Sequence, residues 1–124
     1  MPELEELTGL RIVARAEAID SAVWPAGSIP LRIAADDVFL LNGTSAIIGD
    51  HHAILEPEST FQGRWLDRAV VEDWVAGNAD WLLPAGDGFS QGMVAALPVK
   101  IWAAGTRALV IVPASFGAEL EARL

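Results

Sequence analysis

The chain has 124 residues and a formal net charge of −9, since 17 Asp and Glu outnumber eight Lys and Arg. This acidic balance, without a clustered basic patch, argues against nucleic acid as a partner, and a hydrophobic content of 52% argues against disorder. The absence of Cys excludes disulfides, thiolate metal ligands and cysteine nucleophiles.

The length predicts a single domain over residues 9–124, preceded by an acidic tail at residues 1–8. The N-terminus has no basic segment followed by an apolar run, so it does not have the pattern of a signal peptide. No stretch approaches the ~18 consecutive apolar residues that span a bilayer. We therefore expect a cytoplasmic protein with no membrane partner.

The first part of the chain predicts short strands separated by turns. Apolar and charged residues alternate over residues 10–18, which favours a strand with one solvated face. Asn42-Gly43 is a strong turn signal. Further short strands are predicted at residues 31–34, 38–41 and 46–48.

The middle of the chain predicts an interrupted strand and then a helix. Residues 52–66 are typical of two extended pieces around Pro57. Asp67 is a suitable N-cap for a helix over residues 68–76, which Gly77-Asn78 would end. The apolar stripe predicted for this helix consists of Val70, Val71, Trp74 and Val75.

The last third predicts three strands and a final helix. Residues 91–96 and 99–102 are predicted strands, and residues 108–112 are apolar on both faces, which indicates a central strand. Ser115 can cap a helix that runs through Leu124. The order of these elements predicts the α+β class, with an antiparallel or mixed sheet and two helices.

The segment Gly88-Phe89-Ser90-Gln91-Gly92 matches the G-x-S-x-G nucleophile elbow of serine esterases. An elbow needs a strand before the Ser, a helix after it and a His later in the chain. No His follows Ser90, and a serine without a general base is a poor nucleophile. We therefore predict no catalytic residue here and expect a turn that leads into a strand.

Metal binding has three weak candidate ligands, His52, Glu56 and Glu58, which would share one face of an extended strand. Imidazole and carboxylate suit zinc, iron or manganese, and the spacing is similar to the first motif of cupins. A cupin would need a third His after the Pro-x-Gly turn at residues 84–86, and none follows it. His51 would point to the opposite face. We predict no bound metal, and a small metal-dependent enzyme remains the alternative hypothesis.

Five Trp residues are a large number for so small a chain. Trp65 and Trp102 alternate with charged or polar neighbours, which makes them candidates for an interface, where Trp is enriched. The alternative is that both Trp are partly buried in the same core.

Four stretches carry a resemblance to a known family: residues 31–41, 61–74, 91–102 and 115–120. In their order and mostly apolar character, they resemble the small (gamma) subunit of heterotetrameric sarcosine oxidase. That family has the fold of the aminomethyltransferase folate-binding domain. The resemblance implies a ferredoxin-like core and a role as a non-catalytic partner subunit. Folate enters only by this analogy, and no ligand residue is carried over, because the chain is too short for the two-part folate site.

Our leading hypothesis is a non-catalytic accessory or binding protein without a cofactor, which acts through oligomerisation or a larger protein partner. The metal-dependent enzyme and the serine esterase are the hypotheses from other classes. A homo-oligomer or a complex with a larger protein is therefore the expected assembly.

Overall fold

A computed structural model of the chain describes residues 3–124, which divide into two units. The N-terminal unit is Leu7–Ser59, and the C-terminal unit joins residues 3–6 to Thr60–Leu124. Part of the predicted acidic tail, residues 1 and 2, lies outside the described residues. Residues 5–8 of that tail belong to the first strand, so regular structure begins earlier than the sequence indicated.

The N-terminal unit contains three strands that pair antiparallel in the order β2-β3-β1, with one short helix. The strands β2 and β3 contain the predicted strands at 31–34 and 38–41, which confirms both. The core of this unit consists of Ile12, Ala14, Ile19, Val38 and Leu40. The element bounds are β1 Glu5–Val13, α1 Ala16–Asp20, β2 Ile29–Ala34 and β3 Asp37–Leu41.

The prediction of a strand through residue 18 was wrong beyond Val13. The carbonyl oxygen of Arg15 accepts hydrogen bonds from the N–H groups of Ala18 and Ile19, at 3.0 and 3.1 Å, and this turn opens α1. Ala and Glu are good helix formers, and the adjacent residues Ala18 and Ile19 are both buried, as happens on a helix and not on a half-solvated strand. The predicted strand at 46–48 was also wrong, because Ile47 forms only a single bridge with Val23.

The C-terminal unit contains a sheet in the order β4-β7-β6-β5, in which every described pairing is antiparallel. The predicted central strand is confirmed, because all five residues 108–112 are buried in β7 between β4 and β6. The bounds are β4 Ile54–Asp67, α2 Arg68–Asn78, β5 Gly88–Val94, β6 Leu97–Ala104, β7 Arg107–Pro113 and α3 Gly117–Arg123, with a short 3-10 helix at Ala114–Phe116.

Helices α2 and α3 pack on one face of this sheet. Val71, Trp74 and Val75 of α2 and Leu120 of α3 join a buried cluster with side chains of β6 and β7. The Trp74 indole Nε1 donates to the carbonyl oxygen of Arg123 at 2.6 Å, which ties α2 to the end of α3. Burying each of these apolar side chains contributes roughly 1.5–3 kcal/mol to the stability of the fold.

Helix α2 confirms the predicted helix but corrects three details. Val70 was placed on the apolar stripe and is instead 51% exposed. Gly77 and Asn78 were expected to stop the helix, yet both lie within α2. Asp67 does precede the first helical residue, but its side chain makes no capping hydrogen bond. The α+β class and the two predicted helices are therefore confirmed, with α1 as a further helix.

Arg68, the first residue of α2, organises the loop before β5. Its guanidinium donates to the carbonyl oxygens of residues 84–86 at 2.6–3.2 Å, and to that of Gly105 at 3.1 Å. It also donates to Asp87 Oδ1 at 2.9 Å. Only 12% of its side chain is exposed. The glycine-rich segment is therefore held by one planar cation.

Arg68→Lys is expected to lower the free energy of unfolding by about 2 kcal/mol, because an ammonium on one nitrogen cannot reach acceptors spread around a guanidinium. Urea denaturation measures the loss, and amide exchange should become faster at residues 84–87. The matched control is Arg107→Lys, at an exposed position of β7. Equal stability of Arg68→Lys and the wild type would contradict the role of Arg68.

Candidate interaction surface

The sheet face opposite α2 and α3 carries a row of large apolar side chains. In the strand register, Trp65 lies opposite Leu109, Leu109 lies opposite Trp102, and Trp102 lies opposite Phe89. These four residues, here called the aromatic row, cross all four strands. The structure thus brings both predicted interface residues, Trp65 and Trp102, into one row, which their distance in sequence did not indicate.

Alternation along the strands places the row on this face. Leu66, next to Trp65, packs against the helix-side cluster, and Ile101, next to Trp102, belongs to that cluster. Neighbouring residues of a strand point to opposite faces. Trp65 and Trp102 therefore point away from the helices.

Exposure increases across the row from β7 towards β5. Leu109 is fully buried, whereas Trp65, Trp102 and Phe89 are half-buried. Met93, on the same face of β5, is 55% exposed and lies opposite Pro98. A shallow depression of about 250 Å³ lies beside these two residues. The accessible apolar surface is therefore at the β5–β6 end of the sheet.

Strand β5 is the terminal strand of this sheet, and Trp81 covers part of its outer edge. The Trp81 indole Nε1 donates to the carbonyl oxygen of Met93 at 3.0 Å. Gly92 allows this approach, because a Cβ there would lie 2.7 Å from the indole nitrogen. Covering an edge carbonyl limits pairing with another strand at that point. Docking at this end would therefore use side chains of the face.

Ser90 lies within β5 and pairs with Ile101 of β6, so it is not on a strand-to-helix elbow. The strand begins at Gly88, earlier than the predicted turn allowed. After Val94 the chain turns at Ala95 and Ala96 into β6, where an elbow would start a helix. The serine is therefore placed as a strand residue and not as the nucleophile of an esterase.

The structure separates the three predicted metal ligands into different settings. His52 lies in a turn before β4, not on the strand, so it does not share a strand face with Glu56 and Glu58. Glu56 is exposed, and Glu58 accepts a hydrogen bond from Arg11 Nη1 at 2.9 Å. Within residues 3–124, no three His, Asp or Glu side chains are grouped as a metal site requires. The expectation that His51 and His52 point apart was also wrong, because their ring centroids lie 4.3 Å from each other.

Ion pairing explains the position of Glu58. Arg11 Nε and Nη2 donate to the two carboxylate oxygens of Asp37 at 2.6 and 2.8 Å, while Nη1 donates to Glu58. The hydrogen bond to Asp37, followed by that to Glu58, raises the pKa of Arg11 above its usual value despite partial desolvation. Such two-oxygen pairing fixes geometry as well as charge. Glu58 thus has a structural partner within the N-terminal unit.

Asp50 holds the turn that contains the histidines. Its carboxylate accepts the backbone N–H groups of Arg15 and His52 at 3.0 and 2.9 Å. These two hydrogen bonds, that of Arg15 being the stronger influence, lower the pKa of Asp50. The acidic residue nearest to His52 in sequence is therefore occupied with backbone donors.

Comparisons with known proteins found no matching family model, no matching curated protein and no matching solved structure. Among the helices of residues 3–124, none combines the length and the apolar character needed to cross a bilayer. The argument for function therefore depends on the aromatic row and on the charged groups of this chain.

Proposed function

We propose that this chain is a non-catalytic binding protein that assembles with a second copy or with a larger protein through its aromatic row. The observation that carries the proposal is the alignment of Trp65, Trp102 and Phe89 on one face, beside the exposed Met93. Trp is enriched among the residues that dominate binding energy at protein interfaces.

A row built on four paired strands suits binding because its side chains are held by the sheet. Ordering a mobile side chain on association costs about 0.5–1.5 kcal/mol, and a side chain already packed in a row avoids much of that loss. Lys100, between Trp102 and Pro98 on the same face, has its Nζ 5.5 Å from the Phe61 ring centroid. A charged group beside an apolar patch is the usual composition of an interface rim.

The roles of the reactive side chains favour this proposal over the two enzyme hypotheses. Ser90 is a strand residue, and Glu58 is paired with Arg11. A nucleophile needs a neighbouring base, and a metal ligand needs free lone pairs. Neither residue is presented in the way that its proposed chemistry requires.

The resemblance to the small subunit of heterotetrameric sarcosine oxidase is part of this proposal, as is the ferredoxin-like core that it implies. The C-terminal unit supports it only in general form, since two helices pack on one face of an antiparallel sheet and leave the other face for a partner. The larger partner would then be a protein of the sarcosine oxidase type. Folate belongs to the proposal solely through this analogy.

Light scattering coupled to size exclusion measures the mass of the wild type, Met93→Glu and Trp102→Glu. If the partner is a second copy, we expect a wild-type dimer or larger assembly, and at least about a tenfold weaker association for both variants. The matched control is Val70→Glu, which places the same charge at an exposed apolar position of α2. A monomeric wild type directs the test to a larger partner, by co-purification with the larger sarcosine oxidase subunits.

Two results would contradict the proposal. One is a monomeric chain that also fails to co-purify with those subunits. The other is an assembly that the Met93 and Trp102 substitutions leave as strong as the control does. Circular dichroism of each variant shows whether the sheet is retained, and Met93→Glu changes an already exposed side chain, so it tests the surface without a demand on the core.

A further inference from the structure

Arg64 is the buried charged residue of the part of the chain that the structure describes, with 7% of its surface exposed. It lies in β4 directly opposite Val110 of β7. Its alternation with Gly63 and its two-residue spacing from Leu66 place it on the helix-covered face, where Leu66 and Val110 belong to or pack on the apolar cluster. A guanidinium therefore lies among hydrocarbon side chains.

No carboxylate of residues 3–124 pairs with this guanidinium, and its Nε is enclosed without a hydrogen-bond partner. The contrast with other arginines is clear. Arg11, Arg32 and Arg68 each form a hydrogen-bonded ion pair with an Asp, although they are less buried than Arg64. The chain thus provides partners for its accessible arginines and none for the enclosed one.

The chemistry of the group specifies what is missing. Arg is always protonated and has five N–H donors but no acceptor. An unpaired buried charge is strongly unfavourable, so the site has a large free-energy incentive to take up an anion. The Nε–H and one Nη–H form a planar two-donor edge that matches the two oxygens of a carboxylate.

We infer that Arg64 is the anchor of a binding site for a small monocarboxylate with an apolar tail. One cation in a protein of net charge −9 suits a singly charged anion better than a polyphosphate. The neighbouring side chains, Leu66 and Val110, offer apolar contact to a short hydrocarbon chain. This inference does not rest on the aromatic row, which lies on the other face of the same sheet.

The test uses the full chain labelled with ¹⁵N, the Arg64 Nε–H resonance and a titration with butyrate against chloride at matched ionic strength. We expect a saturable shift of that resonance with butyrate and none with chloride. Arg64→Lys should weaken butyrate binding at least about tenfold, because an ammonium lacks the two-donor edge. Arg64→Met should abolish binding, while Arg107→Lys, at an exposed position, should leave it unchanged.

Four results would overturn the inference. These are no saturable shift with butyrate, an equal response in Arg64→Met, saturation by inorganic phosphate alone, and a shift that follows protein concentration without added butyrate. The last result would identify a carboxylate of a second copy as the occupant. Since Arg64→Met replaces a buried charge by an apolar chain of similar length, that variant is expected to fold, and Arg64→Lys provides the second folded comparison.

Discussion

Replacing Arg64 by Met is expected to raise the free energy of unfolding of the ligand-free protein by about 1–4 kcal/mol. The wild type buries a guanidinium whose Nε has no partner in the described residues. Methionine fills a similar volume without a charge to desolvate, and its flexible chain adapts to an irregular gap. Urea denaturation at neutral pH in carboxylate-free buffer measures the difference.

The matched control is Arg107→Met, because Arg107 is exposed on β7 of the same sheet. A change at such a surface position is expected to stay within about 0.5 kcal/mol. Should Arg64→Met lose more than about 1 kcal/mol, the guanidinium would have a stabilising partner in solution, and the description of Arg64 as an unpaired charge would be wrong.

Gly9→Ala is expected to lower the free energy of unfolding by about 3 kcal/mol. Gly9 lies in β1 opposite Leu41 of β3, and a Cβ there would collide with the carbonyl oxygen of Leu40. The same Cβ would lie 3.1 Å from Cε1 of Phe39. Leu40 and Phe39 are fully buried, so neither the backbone nor the ring has free space for a shift. Thermal and urea denaturation both measure the loss.

Gly77→Ala provides the matched control, since it adds the same methyl group within α2, where nothing lies within 4 Å. Alanine has the higher helix propensity, so this change is expected to raise stability by about 1 kcal/mol. Wild-type stability of Gly9→Ala would contradict the close approach of β1 to β3. A loss in Gly77→Ala would contradict the extension of α2 past residue 76.

Periodicity identified the elements whose local signal agrees with their burial. The apolar run at residues 108–112 predicted a central strand, and β7 lies between two neighbours. The spacing of Val71, Trp74 and Val75 predicted the buried side of α2. Val70 failed because an apolar residue next to the stripe carries no sequence signal of exposure, and the width of the contact with the sheet decides its burial.

Elements without turn chemistry were placed less well. The hairpin between β5 and β6 turns at Ala95 and Ala96, which both have positive φ, a conformation that favours Gly or Asn. Nothing in an Ala-Ala pair predicts a turn, so the predicted strand ran to residue 96. Pairing across seven residues of β5 and β6 imposes the turn on these two alanines.

The candidate sites show the same division. Trp65 and Trp102 could be chosen from the sequence as interface residues, but their membership in one row depends on the register of three strand pairs. Arg64 gave no signal, because a single Arg in a strand is usually exposed. Its burial became visible only when β4 was paired with the fully buried β7.

The amino-acid sequence by itself determined the α+β class, the acidic charge, the absence of cysteine chemistry and the strongest periodic elements. These follow from composition and from spacings of a few residues, which act through local sterics and burial. Only the tertiary structure decided the aromatic row, the pairing of Glu58 with Arg11 and the enclosure of Arg64. Each of these joins residues that are distant in sequence, and their contact depends on the strand register, which is a property of the packed chain.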